Sequence, residues 1–198
     1  FLKLEINKSH LITGDNGSGK STLVKLIVGL LKNKNLRIRL NNQRIISSIQ
    51  DLDMRISYVP QKPYLFDASI YENVTFNKIY NSKDAQFKKI SKITGIDEII
   101  KKNNLNYLSK IGEEGKLLSG GEGKKISLAR ALYLKPSLLI LDEVLDSLDV
   151  NSQSRLIKYL TKETKNLTII MISHNQKIRK KFNIVYKLKK GKLLSLKS

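Results

Sequence analysis

The sequence predicts an α/β fold built on a mainly parallel sheet, and three observations carry that expectation. Apolar runs of strand length occupy residues 138–141, 168–172 and 184–188, and the first two alternate with helical patterns at 124–133 and 151–164. That order builds βα units, whose buried strands read as continuous apolar runs. A glycine-rich loop separates a strand candidate from a helix candidate near the amino end. Finally, the run at 138–141 leads straight into two acids.

The bulk numbers bound the answer. A chain of 198 residues suggests one domain, or one domain with a small subdomain, and 40% hydrophobic residues suffice for a core. The absence of cysteine excludes disulfides and cysteine-based metal sites. No signal-peptide pattern is read in these residues. The longest apolar runs, 138–141 and 169–172, fall far short of the roughly 20 residues that cross a bilayer. The chain is therefore not expected to span a membrane itself. It begins at Phe1 rather than Met, and the expectation is a piece of a longer polypeptide. Lys and Arg number 37 against 17 Asp and Glu, a formal charge of +20. Such a balance fits a nucleic-acid or anionic-membrane surface, or a Lys/Asn/Ile-rich composition spread over solvated faces. The lysines are scattered and few aromatics interleave with them, which favours solvated faces.

Taken in order, residues 11–13 form a strand candidate and 22–31 a helix candidate, with Leu23, Leu26, Ile27 and Leu30 at helical spacing. Residues 36–40 alternate basic and apolar, as a half-exposed strand does, and Asn41-Asn42 reads as the turn after it. Residues 56–59 form a short strand ending at Pro60. Residues 67–115 lack strand-like runs and are rich in helix formers, a helical insert. Lys189-Lys190-Gly191-Lys192 reads as a turn into a closing strand.

The loop Gly14-Asp15-Asn16-Gly17-Ser18-Gly19-Lys20-Ser21 fits G-x-x-x-x-G-K-[ST] in the strand–loop–helix context that the motif needs. Glycines let successive backbone N–H groups point inward at phosphate oxygens, and the helix start adds partial positive charge. Gly14, Asn16, Gly17, Ser18, Gly19, Lys20, Ser21 and Thr22 are the candidate phosphate cradle. Lys20 is expected on the β- and γ-phosphates and the Ser21 hydroxyl on magnesium. After the run 138–141, Asp142 is placed to hold magnesium and Glu143 to orient and deprotonate a water. Leu118-Ser119-Gly120-Gly121-Glu122 precedes another helical run. Ser119 and Glu122 satisfy a capping box, while Gly120 and Gly121 leave the helix start bare, a second anion site.

Together these motifs resemble the ABC ATPase family, whose signature reads LSGGQ or LSGGE, and the resemblance covers nearly the whole chain. Gln61, in Tyr58-Val59-Pro60-Gln61, matches the Q-loop glutamine, and Ser119, Gly120, Gly121 and Glu122 match the signature. Asp142 and Glu143 match the Walker B aspartate and the catalytic glutamate. Ser147-Leu148-Asp149 resembles the D-loop, and His174, in Ile172-Ser173-His174-Asn175, matches the switch histidine. His10 lacks such a context and reads as structural.

The resemblance implies a P-loop NTPase (RecA-like) core with a mainly parallel sheet. To it are added a helical subdomain at about 67–125 carrying the signature and a partial antiparallel β subdomain. It implies ATP and Mg2+ as ligands and hydrolysis of ATP to ADP and phosphate coupled to transport. Glu143, His174 and Gln61 would be catalytic, and Ser21, Gln61 and Asp142 would meet the metal. The cradle, Ser119–Glu122 of the signature and Asp149 would bind nucleotide. Two such domains would pair head-to-tail, each ATP lying between one copy's cradle and the other's signature. A homodimer is favoured, because no catalytic position looks degenerate. A transmembrane domain of the transporter is the other partner, at the cytoplasmic face of the inner membrane, with the isolated domain soluble. A soluble ABC ATPase acting on nucleic acid or ribosomes is the alternative, motivated by the +20 charge. Such relatives carry two cassettes or a long coiled-coil insertion, neither of which this chain shows. A non-hydrolysing cassette is disfavoured by the presence of Lys20, Asp142, Glu143 and His174.

Tyr64-Leu65-Phe66, Ser69-Ile70-Tyr71-Glu72-Asn73-Val74 and Ile111-Gly112-Glu113-Glu114-Gly115 resemble segments of ABC exporters that contact the membrane domains. The chain also departs from the family. Gly123-Lys124-Lys125 follows the signature where R-Q-R is usual, and Leu148 replaces a usual alanine. The family's adenine-stacking aromatic lies well upstream of the cradle, so it and a first strand are expected to precede Phe1.

Overall fold

The computed structural model describes residues 2–31, 33, 38–40, 43–45, 55–163 and 166–196. Its contacts divide into two compact units. One comprises Phe1–Tyr58, Pro136–Asp146 and Leu160–Ser198, the other Val59–Lys135 and Ser147–Tyr159.

The first unit holds two sheets. Strands β1 (Leu2–Leu4), β3 (Ile38–Leu40) and β4 (Gln43–Ile45) form the smaller, with β1 and β3 parallel and β3 and β4 antiparallel. The larger has six strands in the order β5-β6-β7-β2-β8-β9. These are β2 (Ser9–Thr13), β5 (Ile56–Val59), β6 (Leu138–Asp142), β7 (Thr168–Ile172), β8 (Ile184–Lys189) and β9 (Lys192–Leu196). The neighbours β6, β7, β2 and β8 run parallel, and β9 returns antiparallel along β8. Every residue of β6 and β7 is buried, as expected of strands covered on both faces. Helix α1 (Lys20–Ile27) sends Val24 and Ile27 into a core with Ile12, Ile140, Ile170, Ile172 and Leu188. At roughly 1.5–3 kcal/mol per fully buried aliphatic side chain, this core is the main favourable term of the unit.

Helix α1 stops earlier than the expected 22–31. Gly29, at φ +77°, takes the left-handed turn. The Leu30 amide donates to Lys25 O at 2.8 Å and the Gly29 amide to Leu26 O at 3.2 Å, closing the helix by a Schellman motif. Leu30, in phase with the apolar stripe, is left exposed. Residues 36 and 37 of the expected 36–40 strand, the Asn41-Asn42 turn and Thr164 lie outside the described residues. The Lys190-Gly191 turn, both residues at positive φ, joins β8 to β9 as expected. His10 is wholly buried. Its Nε2 lies 3.0 Å from the Glu5 carbonyl, its ring stacks on Tyr186, and burial lowers its pKa.

The second unit is helical, as residues 67–115 suggested. Helices α2 (Ile70–Thr75), α3 (Ala85–Thr94) and α4 (Ile96–Lys102) pack on α5 (Gly120–Tyr133). Ser69 and Glu72 close a capping box on α2. Tyr71, Phe87 and Tyr107 interlock edge to face in its core. Arg130, on α5, donates to Asn73 O, Asn73 Oδ1 and Tyr64 O, and stacks under Phe66 and Phe76. Helix α6 (Val150–Glu163) follows the turn Leu145–Ser147, and its residues through Tyr159 belong to this unit. Among the described residues no helix is long and apolar enough to cross a membrane.

Candidate functional site

Three parallel neighbours end on one edge of the larger sheet. Asp142, the last residue of β6, is in register with Ile172 of β7, and Ile172 is in register with Ile12 of β2. The segments leaving these strands therefore issue from a single edge, where ligands bind in open α/β sheets. They are the loop 14–19, Glu143, and Ser173 with His174.

The loop is closed by its own lysine. Lys20 is 5% exposed, and its Nζ donates to Gly14 O at 3.0 Å and Asp15 O at 2.8 Å. The ammonium has three donors, so two are committed to the turn. Gly14, at φ +153°, passes so close to β8 that a Cβ would stand 2.3 Å from Leu188 O. Gly19, at φ +99°, occupies the N-cap position of α1 and supplies no side-chain cap. The first-turn amides of α1 are thus left to whatever lies in the loop.

Asp142 is 2% exposed. Its Oδ2 accepts from the Tyr58 hydroxyl at 3.3 Å, and its Oδ1 has no hydrogen-bond partner among the described residues. Burial, reinforced by the Glu143 charge, raises its pKa, while the Ser21 and Tyr58 hydroxyls and Lys20 pull the other way. Tyr58 is in turn pushed up to about 12 by burial and by Asp142. A buried carboxylate with an unused oxygen next to a serine hydroxyl offers the hard oxygen donors that a magnesium ion takes. Such an ion commonly keeps waters and binds one or two carboxylates plus substrate phosphates. No cluster of three His, Cys, Asp or Glu residues able to cage a metal occurs among the described residues.

Glu143 sits at φ +54°, a left-handed conformation that costs a non-glycine residue energy and that clusters at functional sites. Its amide donates to Ile172 O at 3.1 Å. Its Oε1 lies 2.7 Å from His174 Nε2, with the two side chains 17% and 38% exposed. A carboxylate only accepts, so Nε2 carries the proton of this bond. Asp146, in the turn Leu145–Ser147, accepts from Ser173 Oγ at 2.8 Å and from the His174 amide at 3.3 Å. Sequence reasoning missed Asp146 and Tyr58. Tyr58 entered the sequence reading only as the start of the Q-loop segment and Asp146 not at all, and only the sheet edge brings them to the site.

The helical unit carries the other candidates. Ser119 Oγ accepts from the Glu122 amide at 3.3 Å, and Glu122 Oε2 accepts from the Ser119 amide at 2.8 Å, the expected capping box. A Cβ on Gly120 would meet open space, whereas one on Gly121 would stand 3.1 Å from Ser147 O. Gln61, Ser119, Gly120, Gly121, Lys124 and Ser147 line part of a cavity of about 580 Å³. The Asp149 carboxylate caps α6, accepting from the Ser152 amide at 2.9 Å and Ser152 Oγ at 2.6 Å, and pairs with Lys125 at 2.9 Å. These partners, the Ser152 hydroxyl first, hold it well below the usual carboxylate range. Residues 14–22, Asp142, Glu143 and His174 thus belong to the sheet unit. Gln61, Ser119–Glu122 of the signature and Asp149 belong to the helical unit.

The chain is similar to several known proteins. A putative export ATP-binding/permease protein of Rickettsia typhi is 38% identical over 98% of this chain and 34% of its own length. The lactococcin-A transport/processing ATP-binding protein LcnC of Lactococcus lactis subsp. lactis is 31% identical over 98% of this chain and 27% of its own. The structure of a bacterial Atm1-family ABC exporter with ATP bound superposes with a TM-score of 0.82 at 26% identity. It covers 95% of this chain and 33% of that one. The chain thus spans about a quarter to a third of the length of these relatives. Residues 2–146 match the family model described as ABC transporter, and the chain belongs to that family.

Proposed function

We propose that this chain is the ATP-binding and hydrolysing domain of an exporter-type ABC transporter. The observation that carries the reading is the single sheet edge holding the Lys20 loop, the buried Asp142 with its unused Oδ1, and the Glu143–His174 pair.

On this reading the amides of the 14–19 loop and the α1 N-terminus take the β- and γ-phosphates, and the third donor of Lys20 bridges them. Ser21 and Asp142 would hold a magnesium ion, which neutralises charge building on the phosphates. Glu143 accepts a proton from the attacking water, whose oxygen bonds to the γ-phosphorus while the bond to the β–γ bridging oxygen breaks and ADP leaves. His174 orients Glu143, and Asp146 orients His174 through its amide and Ser173. Gln61 senses the γ-phosphate.

The second face of each nucleotide comes from another copy paired head-to-tail. The Gly120 and Gly121 amides at the start of α5 add donors there, beside Ser119. The aromatic edge of Tyr64, Phe66 and Phe76 is exposed and braced by Arg130. We assign it to the transmembrane partner, at the cytoplasmic face of the membrane. The export proteins among the relatives favour this reading over a soluble ATPase acting on nucleic acid or ribosomes.

Glu143→Gln tests the base. The amide still accepts a hydrogen bond from water but takes no proton, so nucleotide binding persists while steady-state turnover falls by about 10²–10⁴-fold, the usual worth of a general base. Turnover at the wild-type rate in that variant contradicts the assignment.

A further inference from the structure

The α5 start carries a glutamate, and that glutamate has its own cation. Glu122 is 8% exposed, so a charge there needs compensation. Its Oε2 is used by the capping box, accepting from the Ser119 amide. Its Oε1 accepts from Lys102 Nζ at 2.9 Å and from Asn103 Nδ2 at 3.2 Å. Lys102 is the last residue of α4 and Asn103 its C-cap, so both come from one helix end. There the Asn103 side chain also donates to Ile99 O at 3.0 Å, which ties its amide to the helix it caps. The Lys102 side chain is 71% exposed against 11% for Glu122, so the lysine reaches in from solvent to meet a nearly buried partner.

The consequence follows from how the box works. Ser119 is held by Glu122 twice, amide to carboxylate and hydroxyl to amide. Whatever fixes the Glu122 side chain therefore fixes Ser119 and the two glycines after it. Burial alone would raise the Glu122 pKa. The Ser119 amide, Lys102, Asn103 and the Ser119 hydroxyl outweigh it and hold the group at about 2, so the box is fully charged at neutral pH.

We propose that Lys102, with Asn103, is a positioning residue for ATP turnover: it neutralises Glu122 and so sets the conformation of the Ser119–Gly120–Gly121 start of α5. A glutamine at position 122 would close the same box without charge and would need no cation. The requirement for Lys102 is therefore specific to the glutamate found here. The effect of Lys102 passes through Glu122. This rests on the reading above, in which the α5 start completes a nucleotide site on a second copy.

The test is a double-mutant cycle in the intact protein, read as kcat and KM for ATP together with Tm. Lys102→Met lowers kcat by about two- to fivefold, the scale of a partly exposed charged pair, with KM and Tm little changed. Lys102→Arg keeps the charge and stays within about twofold of wild type. In the Glu122→Gln background, adding Lys102→Met has no further effect. Wild-type kcat in Lys102→Met overturns the proposal, and so does an equal loss from that substitution in both backgrounds. A fall in Tm that tracks the fall in kcat also overturns it, since a purely structural pair would behave that way. Should the unsubstituted protein neither bind nor hydrolyse ATP, the functional reading fails instead, which separates the two failures.

Discussion

Lys20 does two jobs that one substitution tests together. On the proposed reading it carries the charge that meets a triphosphate, and it donates to Gly14 O and Asp15 O, stitching the loop around the place where phosphates would lie. Lys20→Ala removes both, so nucleotide affinity falls by about tenfold or more, the scale of one lost charge-assisted hydrogen bond. Calorimetric titration with ATP reads this directly, and an unchanged Kd would mean the loop is not the cradle. At this scale the sequence was informative wherever spacing itself encodes the chemistry. Residues 14–19 read as a turn between strand and helix, because their glycines allow positive φ and a close approach to β8. It was silent on Tyr58 and Asp146. Their worth lies in touching Asp142, Ser173 and His174 across the fold, and no local pattern marks a residue chosen by its neighbours in space.

The helices show where periodicity serves and where it misleads. The apolar spacing of α1 continues through Leu30, yet Gly29 closes the helix first, because its left-handed conformation costs glycine almost nothing. Conversely, α5 begins with glycines that lack helix propensity. The capping box starts it there regardless, and S-x-x-E announced it. The box also has a measurable acid signature. An ordinary glutamate titrates at 4.5, and the hydrogen bonds of the box and of Lys102 and Asn103 outweigh burial and lower Glu122 to about 2. Because the folded pKa is depressed, its stabilising share is complete above pH 4.5 and is lost as pH falls through the folded value near 2. Tm measured from neutral pH down through that window should fall less steeply for Glu122→Gln than for the wild type. Parallel curves would show that the carboxylate is not held as the geometry of Ser119, Lys102 and Asn103 requires.

Over the whole molecule, strand order was the least legible feature. The order β5-β6-β7-β2-β8-β9 seats Ser9–Thr13 between strands from far down the chain, and apolar runs state burial without naming a partner. Charge, in contrast, is read from composition alone and has a global consequence. The formal charge is +20, and residues 164–198 hold ten Lys and Arg and no Asp or Glu. Opposing this are ion pairs such as Arg155–Glu98 and Lys116–Glu113, whose side chains are largely exposed and therefore worth about 0–1 kcal/mol each. Self-repulsion among like charges should outweigh such pairs in the ligand-free chain. Raising ionic strength from about 0.01 to 0.15 M shortens the Debye length from about 30 to 8 Å, which screens distant repulsion more than it weakens contacts within a few ångströms. The Tm of the ligand-free protein should therefore rise over that range of sodium chloride. Potassium chloride should act alike, because screening depends on ionic strength rather than on the identity of the ion. A Tm that falls with added salt would mean that the exposed pairs, not the net charge, govern stability. The basic carboxy-terminal segment would then have to be balanced by acids that the sequence places elsewhere.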